Sequence, residues 1–190
     1  ELTQLPNPDN RSGDQFGSSV AISADKKVAL IGSPYGDGQD IDSGIVFLYK
    51  KAGGSWTLQQ KLIASDGATG DRFGERVSIS ADGNTLLIGA PQHALPSAYA
   101  GAAYIFQKSG DTWVESARLH IGIAGSGYYF GQNVTLSSDG TLALVFASMG
   151  RAWSYGRVFA FSLVDETWVM DQVIRAVDYT SYDNFGISMA

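Results

Sequence analysis

Four times along the chain a Phe-Gly pair opens the same succession of apolar and polar positions. The pairs are Phe16-Gly17, Phe73-Gly74, Phe130-Gly131 and Phe185-Gly186, spaced by 57, 57 and 55 residues. The first three lead into alternating stretches, Val20–Ser23, Val77–Ser80 and Val134–Ser137. A period of two marks a half-buried strand. Each stretch meets a turn at Asp25, Asp82 or Asp139. The last two are Asp-Gly, which reads as a two-residue hairpin turn with Gly at φ > 0. A continuous apolar run follows: Val28–Ile31, Leu86–Ile88 or Leu142–Phe146. Gly32-Ser33-Pro34 closes it in the first unit and Gly89-Ala90-Pro91 in the second, while Ala147-Ser148-Met149 stands there in the third. A variable loop then reaches Gly44, Gly101 or Gly156 and an aromatic strand (Ile45–Tyr49, Ala103–Phe106, Val158–Phe161). A polar turn precedes Trp56, Trp113 and Trp168, each starting a fourth strand that ends near Leu62, Leu119 or Ile174.

Four short strands joined by tight turns form one antiparallel meander. Such a sheet cannot bury both faces alone, and radial stacking of like sheets buries them. The pattern therefore predicts an all-β protein made of β-propeller blades. About three full blades are expected, with partial strands at both ends. The units run over about 9–65, 66–122 and 123–177, and 178–190 starts a further one. The first strand of each unit, small and β-branched, is expected at the axis, and the polar fourth strand at the rim. Leu5 aligns with Leu62, so residues 1–8 match the end of an outer strand. Dividing 190 residues by 57 gives about 3.3 units, whereas rings close with about 4 to 8 blades. Further blades of a longer chain, or other copies of this chain, are thus expected partners, and the isolated segment is expected to be oligomeric or else unstable without its neighbours.

At these residues the sequence resembles the FG-GAP repeat, the propeller blade of integrin α chains and many bacterial surface proteins. The matching text is FGSSVAISADKKVALIGSPYG with SGIVFLY, and FGERVSISADGNTLLIGAPQH with AGAAYIF. The resemblance spans nearly the whole chain, although the third unit lacks the Gly-Ala-Pro element. It implies a propeller and, for function, adhesion or matrix-type recognition at a cell surface or outside the cell. Kelch-type blades, with a Gly-Gly doublet and a period of about 50, fit less well, because Gly53-Gly54 occurs once.

Composition narrows the classes. Hydrophobic residues make up 44% and charged residues 17%, which supports a packed core. The net charge of −6 and a pI near 4.7 disfavour a nucleic-acid groove and adsorption to an anionic membrane. No apolar run reaches the roughly 18 residues of a membrane span. Cysteine is absent and only His93 and His120 are present, so thiolate zinc, Cys nucleophiles and His-rich metal sites are excluded.

The resemblance raises calcium, because integrin-type repeats often carry an Asp-x-Asp-x-Asp-Gly loop between strands one and two. Here Asp25, Asp82 and Asp139 are single carboxylates in those turns. Calcium wants about 6–8 oxygens, so the family's site does not carry over. Asp37, Asp40 and Asp42 form a weak second candidate. No cofactor is expected. Asp9, Asp66 and Asp178 lie seven residues before a Phe-Gly, and Asp14, Asp71 and Asp183 lie two before. Carboxylates repeated in this way read as turn formers rather than as an acid/base pair. His93 on its loop and His120 at a strand end read as solvated. Of two glycosylation sequons, Asn10-Arg11-Ser12 is the candidate, since Asn133 falls on an axial strand. The matched Trp56, Trp113 and Trp168 are expected to cover interblade cores. The third unit alone places aromatics with Arg on two loops of one face: Tyr128 and Tyr129 on one, Arg151, Trp153 and Tyr155 on the other. Those residue types anchor protein interfaces and sugar-stacking sites.

The expected function is therefore a non-enzymatic recognition module whose propeller loops bind protein or carbohydrate. The alternative is a structural segment of a larger surface or filament assembly, and the third reading is a propeller-associated lyase or phospholipase. The single-carboxylate turns also predict that a chelator leaves the thermal unfolding midpoint unchanged. A large drop that Asp82→Ala abolishes would contradict this.

Overall fold

The computed structural model of the chain describes residues 5, 7–9, 11–94, 99–122, 127–149, 155–177 and 185–189. Among them there is no helix, and twelve strands form three four-stranded antiparallel sheets. The first blade holds β1 (Ser19–Ile22), β2 (Val28–Ser33), β3 (Ile45–Ala52) and β4 (Ser55–Leu62). The second holds β5 (Arg76–Ile79), β6 (Thr85–Ala90), β7 (Ala102–Ser109) and β8 (Thr112–Leu119). The third holds β9 (Asn133–Leu136), β10 (Leu142–Met149), β11 (Tyr155–Val164) and β12 (Thr167–Ile174). In each sheet the strands follow chain order. The innermost strands β1, β5 and β9 lie side by side, as blades around an axis require. The partial strands expected at 1–8 and 178–190 lie largely outside the described residues.

Apolar faces meet between blades. Val28, Leu30, Val46, Leu48 and Leu62 of the first blade pack with Phe73, Leu86, Ile88, Tyr104, Phe106 and Trp113 of the second. Leu87, Ile105 and Leu119 pack with Phe130, Val145, Phe159 and Phe161 at the next junction. Phe73 and Phe130 are wholly buried, and burying such a ring contributes about 1.5–3 kcal/mol. Each meets two rings of its own blade edge-on: Phe73 meets Tyr104 and Phe106, and Phe130 meets Phe159 and Phe161. Trp113 is buried in the first junction and its Nε1 donates to Gly83 O at 3.0 Å. Gln60 ties the rims together, donating to Trp113 O (2.8 Å) and accepting from Trp113 N (2.9 Å).

The Phe-Gly and Gly-x-Pro elements fit each other across the junction. A Cβ on Gly32 would lie 2.1 Å from Gly74 O, and one on Gly89 would lie 2.0 Å from Gly131 O. A Cβ on Gly44 or Gly101 would likewise strike the carbonyl of Phe73 or Phe130. The next blade's Phe-Gly backbone thus rests directly on these glycines. Register places Gly32 opposite Ser19, Gly89 opposite Arg76 and Phe146 opposite Asn133. The third unit's counterpart of the glycine is therefore Phe146, one residue before the Ala147-Ser148-Met149 read from sequence. The apolar run hid the shift, because Phe146 is itself buried.

The hairpins between first and second strands also differ from expectation. Ser80 N donates to Thr85 O (2.9 Å) and Gly83 N to Ser80 O (3.0 Å), so four residues, not two, form the turn. The Ser80 hydroxyl accepts from Thr85 N at 3.0 Å and donates to Asp82 Oδ1 at 2.6 Å, which rewards the longer loop. Gly83 and Gly140 sit at φ +73°, and Lys26 occupies the same left-handed place in the first blade.

The open first-blade face contrasts with these junctions. Val20 and Ile22 are 69% and 53% exposed, while their counterparts Val77 and Ile79 pack on the core between the first two blades. Gly89→Ala is expected to destabilise the chain by about 3 kcal/mol, because backbone cannot yield to a 2.0 Å approach. Chemical denaturation measures it, and a loss under 1 kcal/mol would contradict the fit described.

Candidate functional site

The connections from fourth to first strand and from second to third strand emerge together. Phe73 N donates to Ser43 O (2.9 Å) and Phe130 N to Ala100 O (3.1 Å), so each interblade loop is clipped to the preceding blade's second-to-third loop. One residue earlier, Arg72 N reaches Asp42 O (3.4 Å) and Tyr129 N reaches Tyr99 O (3.0 Å). All four of these residues have φ between +48° and +60°. Left-handed backbone at a non-Gly residue is uncommon, and here the clip holds it in two successive junctions.

The same clip carries different chemistry at each junction. Between the first two blades it presents Asp42 and Arg72. Between the second and third it presents Tyr99 and Tyr129, whose rings stack with centroids 5.7 Å apart and planes at 27°. Tyr99 is 47% exposed, and Tyr129 is half-buried. Beside them lies a cleft of about 200 Å3 lined by Arg72, Glu75, Pro91, Gln92, Tyr129 and Gln132. The Arg72 guanidinium sits over the Tyr35 ring at 4.6 Å. The Gln92 amide, turned so that its oxygen accepts from Arg72 Nε (3.1 Å) and Nη1 (2.8 Å), holds it there. Among the described residues, nothing hydrogen-bonds the buried Oε1 of Gln132.

Of the expected aromatic set, Tyr129 is in this stack and Tyr128 is half-buried beside it in the chain. Arg151 and Trp153 lie outside the described residues. Tyr155 opens β11, and its side chain is likewise outside them. Sequence reading missed Tyr99. The offset of 57 that relates it to Asp42, just as it relates Tyr129 to Arg72, was the available signal.

His93 is not the solvated loop residue expected from sequence. It is 2% exposed, and its Nδ1 lies 2.8 Å from Asp71 Oδ2. Asp71 Oδ2 also accepts from Ala68 N at 2.9 Å, as a turn former does. Arg118 Nη1 faces His93 Nε2 at 3.3 Å, and Asp66 Oδ2 lies 3.6 Å from the same nitrogen. Asp66 accepts from the buried Tyr104 hydroxyl at 2.7 Å and pairs with Arg118. Burial works against its charge, but the Tyr104 hydroxyl, His93 and Arg118 outweigh burial and hold the Asp66 carboxyl below the ordinary range. Burial, with the Asp66 carboxylate second, drives the Tyr104 phenol upward. Both imidazole nitrogens are engaged, and the group locks the interblade loop onto the second blade. His120, by contrast, is exposed.

The remaining carboxylates are turned to local work. Asp25, Asp82 and Asp139 each accept from a Ser hydroxyl and from a backbone N–H two residues on. Asp37 accepts from Asp42 N (3.1 Å) and pairs with Arg11. Asp40 accepts from Thr69 Oγ1 (2.7 Å) and Ile41 N (2.8 Å). Among the described residues, no three carboxylates or histidines converge as a metal cage. Asn133 donates to Ile187 O and accepts from Val134 N, and Asn10 lies outside the described residues.

The FG-GAP repeat profile matches residues 1–49 and 56–106, more than half of the chain. The chain belongs to the FG-GAP repeat family. Solved structures similar to this FG-GAP chain include Kuenenia stuttgartiensis hydrazine synthase, at TM-score 0.56 and 13% identity, over 95% of this chain and 41% of that one. A hypothetical selenium-binding protein from Sulfolobus tokodaii matches at TM-score 0.53 and 14% identity, over 83% of this chain and 40% of that one. At such identities the likeness concerns the fold alone. The FG-GAP chain spans about two fifths of the length of each. No curated protein sequence matches it.

The locked Asp66 predicts an acid-side signature. A carboxyl depressed in the folded chain contributes stability above its unfolded pKa and loses it as pH falls through the folded value. The melting temperature should therefore fall as pH drops below about 4, and Asp66→Asn should flatten that part of the profile. An unchanged slope in the variant would show that Asp66 is not held by the cluster.

Proposed function

We propose that this FG-GAP chain is a non-enzymatic recognition module that binds protein or carbohydrate through the loops of one propeller face, in an extracellular or cell-surface setting. The observation that carries the reading is the Tyr99–Tyr129 stack beside the Arg72–Gln92 cleft. Tyrosines supply amphipathic contact area at low entropic cost, and sugars stack on such rings. Arg72, Glu75 and Gln132 add polar lining to the same cleft. The engaged nitrogens of His93 argue against it as a base, and the single carboxylates of the turns argue against calcium in those turns.

A structural role in a larger assembly is the second reading, favoured by the open first-blade face. Leu5, Val20, Ile22, Ile31 and Trp56 line an apolar cleft of about 310 Å3 there. Further blades or other copies of the chain would cover it.

Glycan-array binding, followed by Tyr99→Ala, separates the two. Loss of binding on the order of 2 kcal/mol, with an unchanged unfolding midpoint, supports recognition. Binding that survives the substitution, or an array without hits alongside no protein ligand, would overturn it.

A further inference from the structure

The second blade contains a filled slot whose counterpart in the first blade is vacant. His93 and Gly36 occupy the same backbone position. Gly36 N donates to Ser33 O (3.0 Å) as His93 N donates to Ala90 O (3.2 Å). Gly44 N donates to Gly36 O (2.9 Å) as Gly101 N donates to His93 O (3.0 Å). Tyr35 N meets Asp14 O, and Gln92 N meets Asp71 O, both at 3.3 Å. Asp14, Asp9 and Lys61 thus stand where Asp71, Asp66 and Arg118 surround the imidazole.

Without that imidazole, Asp9, Arg11, Asp14, Asp37 and Lys61 line a cleft of about 360 Å3. Two ion pairs, Arg11–Asp37 and Lys61–Asp9, neutralise four of these groups. Asp14 is left over. It is 8% exposed, and among the described residues nothing hydrogen-bonds or ion-pairs its carboxylate, whereas Asp71 holds His93 and Ala68 N. Burial above all, with Asp37, Asp9 and Asp42 adding and Arg11 opposing, raises the Asp14 carboxyl above the ordinary range. A buried carboxylate without a donor is costly. A cationic donor from outside would relieve that cost.

We propose that the first-blade cleft binds an imidazolium group, carried by a small molecule or by a histidine side chain of a partner, which hydrogen-bonds Asp14 as His93 hydrogen-bonds Asp71. The second blade is the internal template for the bound state. The neighbouring volumes are complementary: Ala102 adjoins the His93 loop, and Ile45 holds the same register beside Gly36. A Cβ on Gly36 would meet Ile45 at 3.1 Å. Ile45 therefore crowds a side chain at position 36, while the solvent side of the cleft stays open.

The test is an amide-resolved NMR titration of the 190-residue chain with imidazole, and separately with N-acetylhistidine amide, at pH 6, where the ring is largely cationic. Ammonium chloride at equal ionic strength is the control. Saturable shifts at Asp14 and Gly36 are expected. Asp14→Asn should keep the fold, since it removes a buried charge, and should weaken binding about tenfold. The double variant Gly36→His/Ile45→Ala supplies the ring internally and should abolish binding. Response to imidazole alone assigns a small-molecule ligand, and response to both probes admits a partner's histidine. Absence of saturable shifts with either probe, an equal response to ammonium, or unchanged affinity in Asp14→Asn would overturn the proposal.

Discussion

Everything in this chain hangs on backbone approaching backbone between blades. Side chains fill the junctions, but the separation is set where the Phe-Gly carbonyls rest on Gly32, Gly44, Gly89 and Gly101. Only hydrogen fits at those Cα atoms. The close seat brings Phe73 and Phe130 into the cores, lets Gln60 bridge the rims, and brings the two loop sets near enough to clip. A wider junction would leave each four-stranded sheet with one wet apolar face, too little burial for so small a unit. The FG-GAP signature is thus a contact rule written twice, once on each side of the junction.

That rule explains why the fold was legible. Phe, Gly, Asp and Trp recur at fixed offsets because each occupies a place with no alternative occupant, and the strand pattern between them follows from burial on both faces. What the sequence did not disclose has equally physical causes. Phe146 lay inside an apolar run, so its displacement of a glycine was masked by a residue type that suits a strand. His93 looked solvated because loops are usually exposed; its partners come from three separate segments, Asp66 and Asp71 from the interblade loop, Tyr104 from β7 and Arg118 from β8. Tyr99 sat in a variable loop, and only its backbone bond to Tyr129 reveals that it belongs to the repeat's geometry.

The loop face shows how a repeat diversifies without disturbing its frame. At the clip, a pair of left-handed residues changes from Asp42 and Arg72 to Tyr99 and Tyr129 while the backbone hydrogen bond persists. At the slot one step outward, histidine in one blade is answered by glycine in another, with Ile45 and Ala102 trading volume in return. The frame tolerates these exchanges because its own requirements lie at other positions, on the glycines and the buried rings.

A chain of near-identical units risks pairing the wrong neighbours, since each Phe-Gly loop meets several seats of similar shape. Phe146 bears on this hazard. The seats at Gly32 and Gly89 accept a carbonyl flush against Cα, whereas the third seat presents an aromatic ring, against which a Cβ on Gly186 would lie 3.0 Å from Cδ2. A loop shaped for one seat therefore fits the other poorly. The irregular unit thus gives the third junction a shape unlike the first two, ring against glycine where they set backbone against backbone, and that difference disfavours an exchange of loops between them.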